Sequence, residues 1–287
     1  MLKYINSKKN SAAVLELESR MSEYYSRPES YYEDIHFSTS NWKRPGELAY
    51  QRILELSKGK VVAEVGCGEA QILDVLPAER IDYAGCDFSP VLMDQNRKKY
   101  PSARFEVIEE PTELPMASNV YDVVFSVFVL EHVVQPERFL REMFRCCKLG
   151  GRIVIFCPDY AGRLGIASQV VGFSNGSGIE KIRRGEVFDG LLTGLINKVL
   201  MPKYISYKLR NARQDPVFLL NANPACFCRP FYPDADAVYV THSGEIVRTL
   251  RNLGCSIVKN NISMTNYTQR TRTMFLEFVK IEAVPVE

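Results

Sequence analysis

The middle of the chain alternates between short apolar runs and amphipathic segments. The apolar runs predict buried strands, because runs of this length bounded by turn-forming residues are typical of sheets, and they lie at 60–65, 81–86, 104–108, 121–127 and 152–157. The segments between them have helical spacing and lie at 70–76, at 90–99 and from Pro136 onward to a stop at Gly150. Alternation of this kind predicts a parallel sheet with helices on both faces and ligands at the carboxyl ends of the strands.

The same patterns divide the chain into four parts. Helices are predicted at 11–25 and 45–56, and the core pattern returns at the end with a helix at 243–253 and strands at 256–262 and 273–282. We therefore expect an α/β fold with a Rossmann-like, mostly parallel seven-stranded sheet. The expected parts are an N-terminal helical flap (1–44), the core (45–157), an insertion (158–240) and the C-terminal part of the core (241–287).

The insertion must carry its own structure, because structureless loops of that length are uncommon in compact domains. One helix is clear from apolar residues spaced by three and four, with Pro202 expected to end it: Phe188, Leu191, Leu192, Leu195, Ile196, Val199 and Leu200. Basic residues follow at Lys203, Lys208, Arg210 and Arg213. Such a helix either docks on its own domain as a cap over the acceptor or lies on an anionic membrane surface, and we favour the cap.

Composition narrows the choice of partner. The 287 residues carry a net charge of +2 from 36 basic and 34 acidic side chains, so nucleic acid is not an expected partner. None of the eight cysteines forms a CxxC pair, which predicts buried free thiols and no metal site. The N-terminus has no signal-peptide pattern, and no apolar run approaches about 20 residues, so we expect a cytoplasmic location.

A cofactor loop is predicted at residues 64–70, Glu-Val-Gly-Cys-Gly-Glu-Ala, directly after the first strand. Gly66 and Gly68 permit positive φ and lack a Cβ, so a ligand can lie against the backbone. The next segment begins with amide groups that would point at the ligand. An ordinary strand-to-helix turn is the alternative.

Asp87 makes the loop more informative. It follows the second strand, 19 residues after Gly68, where a carboxylate can accept the two hydroxyl groups of a ribose. A dinucleotide fingerprint would place a third glycine at position 71 for the pyrophosphate, and this chain has Gln71. The loop therefore favours a nucleoside ligand without a pyrophosphate.

Four further segments, in order, resemble the class I S-adenosylmethionine-dependent methyltransferases: Glu110 to Met116 with its Leu-Pro, Tyr121 to Ser126, Leu130-Glu131-His132-Val133 with Pro136, and Lys148 to Gly151. The resemblance covers about 45–157 and, more loosely, 243–282. It implies S-adenosylmethionine as cofactor, S-adenosylhomocysteine as product, and methyl transfer to an oxygen or nitrogen of a small-molecule acceptor, such as a sugar or a natural-product intermediate.

The resemblance also implies the cofactor-binding residues. Glu64, Gly66 and Gly68 would line the methionine part, Cys67 between the glycines would also contact the cofactor, and Asp87 would bind the ribose. Phe88, Met93, Glu110 and Pro111 would lie by the adenine, with Ser126 and Phe128 under the sulfonium. Pro111 departs from the pattern because it has no backbone N–H to offer the adenine. Ala70 replaces a loop glycine, and we expect alanine to fit as it does at most helix starts.

The acceptor side has several candidate residues. His132 is a candidate general base, although it would also serve to position its loop. Tyr31, Tyr32, His36 and Trp42 could contact the acceptor, but aromatic residues in a flap also pack on a core. Asp234 and Asp236 would suit a hydroxylated or amino acceptor, and we favour solvated loop acids for both.

Two other functions remain open. One is a protein that binds S-adenosylmethionine without transferring its methyl group. The other is a nicotinamide-dependent oxidoreductase, which Gln71 and the downstream segments disfavour.

Overall fold

The structure is a computed structural model that describes residues 4–8, 11–25, 42, 48–77, 80–110, 113–160, 177–212, 214–227, 236–261 and 273–282. Six residues named above lie outside the described residues: Tyr31, Tyr32, His36, Pro111, Arg213 and Asp234.

Nine strands are described in these ranges. In chain order they are β1 (Tyr4–Asn6), β2 (Val61–Val65), β3 (Asp82–Asp87), β4 (Arg104–Val107), β5 (Tyr121–Val127), β6 (Cys147–Pro158), β7 (Leu219–Asn221), β8 (Cys255–Asn261) and β9 (Thr273–Lys280). Seven form one sheet in the order β4-β3-β2-β5-β6-β9-β8, in which β9 alone runs antiparallel to its neighbours. The predicted Rossmann-like, mostly parallel sheet is confirmed.

Helices cover both faces of this sheet. The helices are α1 (Ser11–Tyr25), α2 (Leu48–Ser57), α3 (Pro90–Lys99), α4 (Pro136–Cys146), α5 (Gly178–Arg183), α6 (Val187–Leu195), α7 (Met201–Lys208) and α8 (Ser243–Asn252). Because strand side chains alternate between faces, Ala63 packs with α1, α4 and α8 on one face, whereas Val62 packs with α2 and α3 on the other.

The helix starts follow ordinary capping rules. Pro90 and Pro136 lie in the first turns of α3 and α4, where a missing N–H costs nothing. The Ser89 hydroxyl accepts a 3.2 Å hydrogen bond from the amide of Leu92.

The strands β2, β3 and β5 are parallel neighbours in the sheet. Their carboxyl ends therefore meet at one edge, between α3 and the turn after β5.

The first described strand and helix, within residues 4–25, contact the insertion and the core. β1 pairs antiparallel with β7 from the insertion, with Ile5 opposite Leu220. Val14, Leu17 and Met21 of α1 are buried in the same apolar cluster as β2 and β5. The helix α1 therefore covers one face of the sheet.

The helix from Pro136 ends at Cys146, and Gly150 lies in β6, so the predicted stop at Gly150 is wrong. Two further predicted elements differ from the structure. The helix expected at 70–76 is a single 3₁₀ turn, Gln71–Asp74. Pro202 does not end the insertion helix, because α6 continues through a π turn (Ile196–Leu200) directly into α7. The wider π turn accommodates a proline that would otherwise collide with the carbonyl group four residues earlier.

The prediction of buried free thiols is confirmed for the seven cysteines that the structure describes. No helix in the described ranges is both long and apolar enough to cross a membrane.

Candidate cofactor and acceptor site

The two loop glycines, Gly66 and Gly68, are needed for different structural reasons. Gly66 has a φ of 73°, and a Cβ at this position would collide with the side chain of Val129. Gly68 has a φ of 49°, but no heavy atom lies within 4 Å of where its Cβ would be. Gly66 is thus required by the packing of the protein itself, whereas Gly68 borders open space into which a ligand can fit.

Ala70 does not adopt the conformation of an ordinary helix start. Its φ is 51° and its ψ is 43°, in the left-handed region, which costs an L-residue with a Cβ about 1–2 kcal/mol. The expectation that alanine simply fits there is wrong. The chain keeps the backbone shape of a glycine turn and bears its strain.

Asp87 holds the loop in place. Its Oδ2 accepts a 3.0 Å hydrogen bond from the amide of Gly68, and its Oδ1 accepts one of 3.1 Å from the amide of Ser89. From α3, the Asn96 side chain donates a 2.7 Å hydrogen bond to the carbonyl of Gly68. Burial raises the pKa of Asp87, although these amide donors oppose the rise. A carboxylate has about four acceptor positions, so capacity remains for ligand hydroxyl groups.

Glu64 is buried within the sheet. Its Oε2 accepts a 2.6 Å hydrogen bond from the hydroxyl of Tyr83 on the neighbouring strand. Burial raises the pKa of Glu64 to about 8, against the opposing effect of the Tyr83 hydrogen bond. The side chain is therefore mostly protonated at neutral pH, and a cation placed beside it would favour its ionisation.

Cys67 and Met93 meet beneath the loop. The two side chains are buried, and the Cys67 Sγ lies 3.9 Å from the Met93 Sδ. They support the loop from the α3 side.

The turn after β5 contains a strained aromatic residue. Phe128 has a φ of 55°, which is uncommon for a bulky side chain and is found mainly at functional sites. Its ring is 37% exposed and packs 4.9 Å, centroid to centroid, from that of Phe156. Ser126, at the end of β5, is buried, and its hydroxyl has no hydrogen-bond partner among the described residues.

A second polar cluster lies beyond this turn. His132 Nδ1 is 3.3 Å from Asp236 Oδ1, and His132 Nε2 is 3.8 Å from the buried Glu131 Oε1. The Tyr25 hydroxyl, at the end of α1, donates a 2.8 Å hydrogen bond to Asp236 Oδ2. Asp236 is buried, so the expectation of a solvated loop acid is wrong for this residue. Its carboxylate therefore links the end of α1 to the turn after β5.

The backbone fixes this cluster as well. The carbonyl of Glu131 accepts hydrogen bonds of 2.8 and 2.9 Å from the amides of Val238 and Tyr239.

Tyr25 also contacts the loop after β3. Its ring lies parallel to that of Phe88, with centroids 6.3 Å apart. Phe88 follows Asp87, so one tyrosine links the loop after β3 to the His132 cluster.

Comparison with known proteins identifies the domain. Residues 63–155 match a protein-family model described as "Methyltransferase domain". The chain is 30% identical over 119 residues to a "Probable S-adenosylmethionine-dependent methyltransferase" of Mycolicibacterium smegmatis, an alignment covering 41% of this chain and 46% of that one. Residues 63–155 are therefore a methyltransferase domain, similar in sequence to S-adenosylmethionine-dependent enzymes.

Two further similarities set the scale of the relationship. The chain is 31% identical over 134 residues to the tRNA (carboxymethyluridine(34)-5-O)-methyltransferase alkbh8 of Xenopus tropicalis. The alignment covers 44% of this chain and 20% of that one. A solved S-adenosylmethionine-dependent methyltransferase from Mesorhizobium loti has a TM-score of 0.51 at 12% identity, covering 80% of this chain and 97% of that one. The second likeness shows the fold alone. The chain spans about half the length of the M. smegmatis relative.

The methyltransferase domain takes S-adenosylmethionine as its cofactor, and two features of the site fit this molecule. The open space beside Gly68 admits a ligand against the backbone, and Asp87 sits where ribose hydroxyl groups can be accepted, held there by two amides. The individual binding roles remain predictions for Glu64, Cys67, Phe88, Met93, Glu110, Ser126 and Phe128.

Not every candidate residue lies near this edge in an accessible form. Trp42 is buried in the core, with its ring 4.7 Å from that of Tyr50 in an edge-on arrangement. This position favours packing over acceptor contact.

Glu110 is exposed, and its carbonyl accepts a 3.1 Å hydrogen bond from the amide of Glu113.

Tyr25 was not predicted as a site residue, because nothing in a local pattern relates it to an acid 211 residues away. The available signal was the adjacent pair Tyr24-Tyr25 at the end of a helix that leads toward the core.

Proposed function

We propose that this protein transfers a methyl group from S-adenosylmethionine to an oxygen or nitrogen of a small molecule, with His132 as the general base. The observation that carries the proposal is the pair formed by His132 and Asp236, 3.3 Å apart beside the turn after β5. A base is needed where the acceptor holds its proton at neutral pH, as an alcohol does.

The proposed chemistry asks little of the protein beyond alignment and proton removal. When bound, S-adenosylmethionine supplies an electrophilic methyl group on a sulfonium whose departing thioether is a good leaving group. His132 accepts the acceptor's proton as the new bond forms. The Asp236 carboxylate orients the imidazole ring and stabilises its positive charge, and Tyr25 holds that carboxylate from the other side. Proximity then carries much of the rate.

We assign the acceptor to the side formed by the insertion, residues 158–240, because Asp236 comes from its end. A buried acid next to a histidine suits a hydroxylated or amino acceptor, such as a sugar or a natural-product intermediate. The near balance of charge, +2 over the chain, favours a small molecule over nucleic acid. The similarity to a tRNA methyltransferase makes RNA the acceptor class to test against.

A protein that binds the cofactor without transferring methyl is the second candidate. It would use the same loop and Asp87 but have no need for the His132 pair. The methyltransferase domain at residues 63–155 disfavours the third candidate function, that of a nicotinamide-dependent oxidoreductase.

The test has two stages. Calorimetry with S-adenosylmethionine, S-adenosylhomocysteine and NAD should show binding of the first two only. Release of S-adenosylhomocysteine is then measured by mass spectrometry over panels of alcohols, amines and RNA. Turnover with a small molecule that disappears in His132→Gln would support the proposal. Tight cofactor binding without turnover on any panel would favour the non-catalytic candidate, and turnover on RNA alone would overturn the small-molecule assignment.

A further inference from the structure

The insertion presents an apolar surface to solvent. Along α6 and the π turn, Phe188, Leu191 and Leu195 are 80%, 62% and 51% exposed. Other exposed apolar side chains extend this surface, which we name the apolar face: Ile179, Ile182, Val187, Leu192, Val199 and Leu200. The expectation that this stripe docks on its own domain is wrong for these residues. A contiguous apolar surface of this kind marks an interaction site.

Small residues explain why the large ones point outward. α5 and α6 pack through Gly178 and Gly190, since a Cβ on either would collide with the opposite helix. Only Lys181 in α5, and Gly190 and Thr193 in α6, are buried. The helix pair therefore satisfies its own packing without using its leucine and phenylalanine side chains.

The far half of the same helix is anchored. Met201 and Ile205 of α7 are buried against Tyr160 and Val240. Val240 lies four residues after Asp236 of the candidate site. The apolar face is thus carried on a helix fixed to the domain close to the acceptor side.

Charge identifies the occupant. Residues 178–212 contain seven Lys and Arg against three Asp and Glu, a net charge of +4, so with +2 for the whole chain the remaining residues carry −2. Arg183, Arg184 and Lys203 are exposed at the border of the apolar face. A symmetric dimer would bring this face against its own copy and oppose like charges. An anionic bilayer instead offers apolar chains and complementary charge.

Two tyrosines at the end of the helix suit the same occupant. Tyr204 and Tyr207 are exposed, and each ring lies under a cation, with Lys208 Nζ 5.5 Å from the first centroid and the Arg210 guanidinium 4.8 Å from the second. Tyrosine and basic side chains are enriched at the level of lipid headgroups.

We propose that the apolar face and its basic border dock the protein on the surface of an anionic phospholipid membrane. In this proposal the helix lies in the plane of the interface, because charged residues such as Asp189, Lys198 and Lys203 recur along it. The proposal is independent of the methyl acceptor.

The test is co-sedimentation of the full chain with vesicles. Vesicles of phosphatidylcholine with phosphatidylglycerol should bind the protein at least about tenfold more strongly than phosphatidylcholine alone, and 0.5 M salt should weaken that binding. The triple variant Phe188→Ser, Leu191→Ser and Leu195→Ser should lose about tenfold or more. Arg183→Gln with Lys203→Gln should reduce the preference for the anionic lipid.

A matched control uses exposed leucines elsewhere, with Leu15→Ser, Leu48→Ser and Leu149→Ser combined. This control should bind vesicles like the wild type, and the thermal unfolding of both triple variants shows that they fold. Equal binding by the two triple variants, or no preference for anionic vesicles, would overturn the proposal. So would a concentration-dependent dimer in sedimentation velocity that the Phe188 variant abolishes, since the occupant would then be a second copy.

Discussion

The hydroxyl of Tyr25 donates a 2.8 Å hydrogen bond to Asp236 across 211 residues of sequence, and the same carboxylate lies 3.3 Å from His132. A residue of the first helix thereby positions an acid at the end of the insertion.

Removing this hydroxyl should lower the stability of the fold. Tyr25→Phe deletes a partly buried hydrogen bond to an acid, so we expect the free energy of unfolding to fall by about 1–2 kcal/mol. Urea denaturation measures the change. Tyr207→Phe, at an exposed tyrosine, is the control and should have no effect. Equal effects of the two substitutions would contradict a specific role for the Tyr25 hydroxyl.

Loss of the proposed base should slow turnover while leaving the cofactor bound. His132→Gln should reduce kcat by about 10²–10⁴-fold, the range typical of general acid–base catalysis. Asp236→Asn should reduce kcat less, because the imidazole remains. Calorimetry with S-adenosylhomocysteine should give affinities close to that of the wild type for both. A parallel loss of cofactor affinity would indicate that the pair shapes the loop instead.

Asp87 should contribute strongly to cofactor affinity. Hydrogen bonds to a charged group contribute about 1.5–3 kcal/mol, so Asp87→Ala should weaken binding of S-adenosylhomocysteine by about tenfold to a hundredfold per hydroxyl group lost. Asp82→Asn, at the exposed start of the same strand, should leave the affinity unchanged. Wild-type affinity in Asp87→Ala would remove the ribose assignment.

The two loop glycines should respond differently to alanine. Gly66→Ala should lower the free energy of unfolding by about 2 kcal/mol or more, because the left-handed φ and the collision with Val129 both oppose it. Gly68→Ala should cost about 1 kcal/mol from its φ alone yet weaken cofactor binding at least about tenfold, since its Cβ would enter the ligand space. Urea denaturation and calorimetry on both variants separate the effects. A cofactor affinity of Gly68→Ala equal to that of the wild type would be inconsistent with that space being the ligand site.

Glu64 should make stability depend on pH. Its pKa is raised from 4.5 to about 8 in the folded protein, so between these values the unfolded chain releases a proton that the folded protein keeps. Stability therefore falls as pH rises through this window, by up to about 1.4 kcal/mol per pH unit from this group, and levels off above it. Glu64→Gln should remove that component in urea denaturation curves from pH 5 to 9. An unchanged slope would mean that Glu64 ionises normally in the fold.

The sequence predicted the sheet well because its signals are local. The strand Tyr121–Val127 and the helix Pro90–Lys99 have the predicted bounds, since an apolar run or a capping serine with proline marks each one. The strands β1 and β7, of three residues each, carry no such signal and exist because they pair with each other.

The arrangement of the candidate site was predictable only around the loop after β2. Gly66, Gly68 and Asp87 lie within one βαβ unit, where order along the chain determines proximity. The burial of Asp236 and its contact with Tyr25 depend on how the insertion returns to the sheet. The exposure of the apolar side chains on α6 was likewise not predictable, because helical spacing shows which residues share a side but not what lies opposite them.

The pairing of β1 with β7 bears on how the protein is made. During synthesis the first strand has no partner until residue 221 has emerged, long after the residues of β2 to β5 have done so. We expect the parallel strands and their local helices to form early, because contacts of low sequence separation close first. Tyr25 can reach Asp236 only after residue 236 has emerged, so this contact of the His132 cluster forms later than the pairing of β2 to β5.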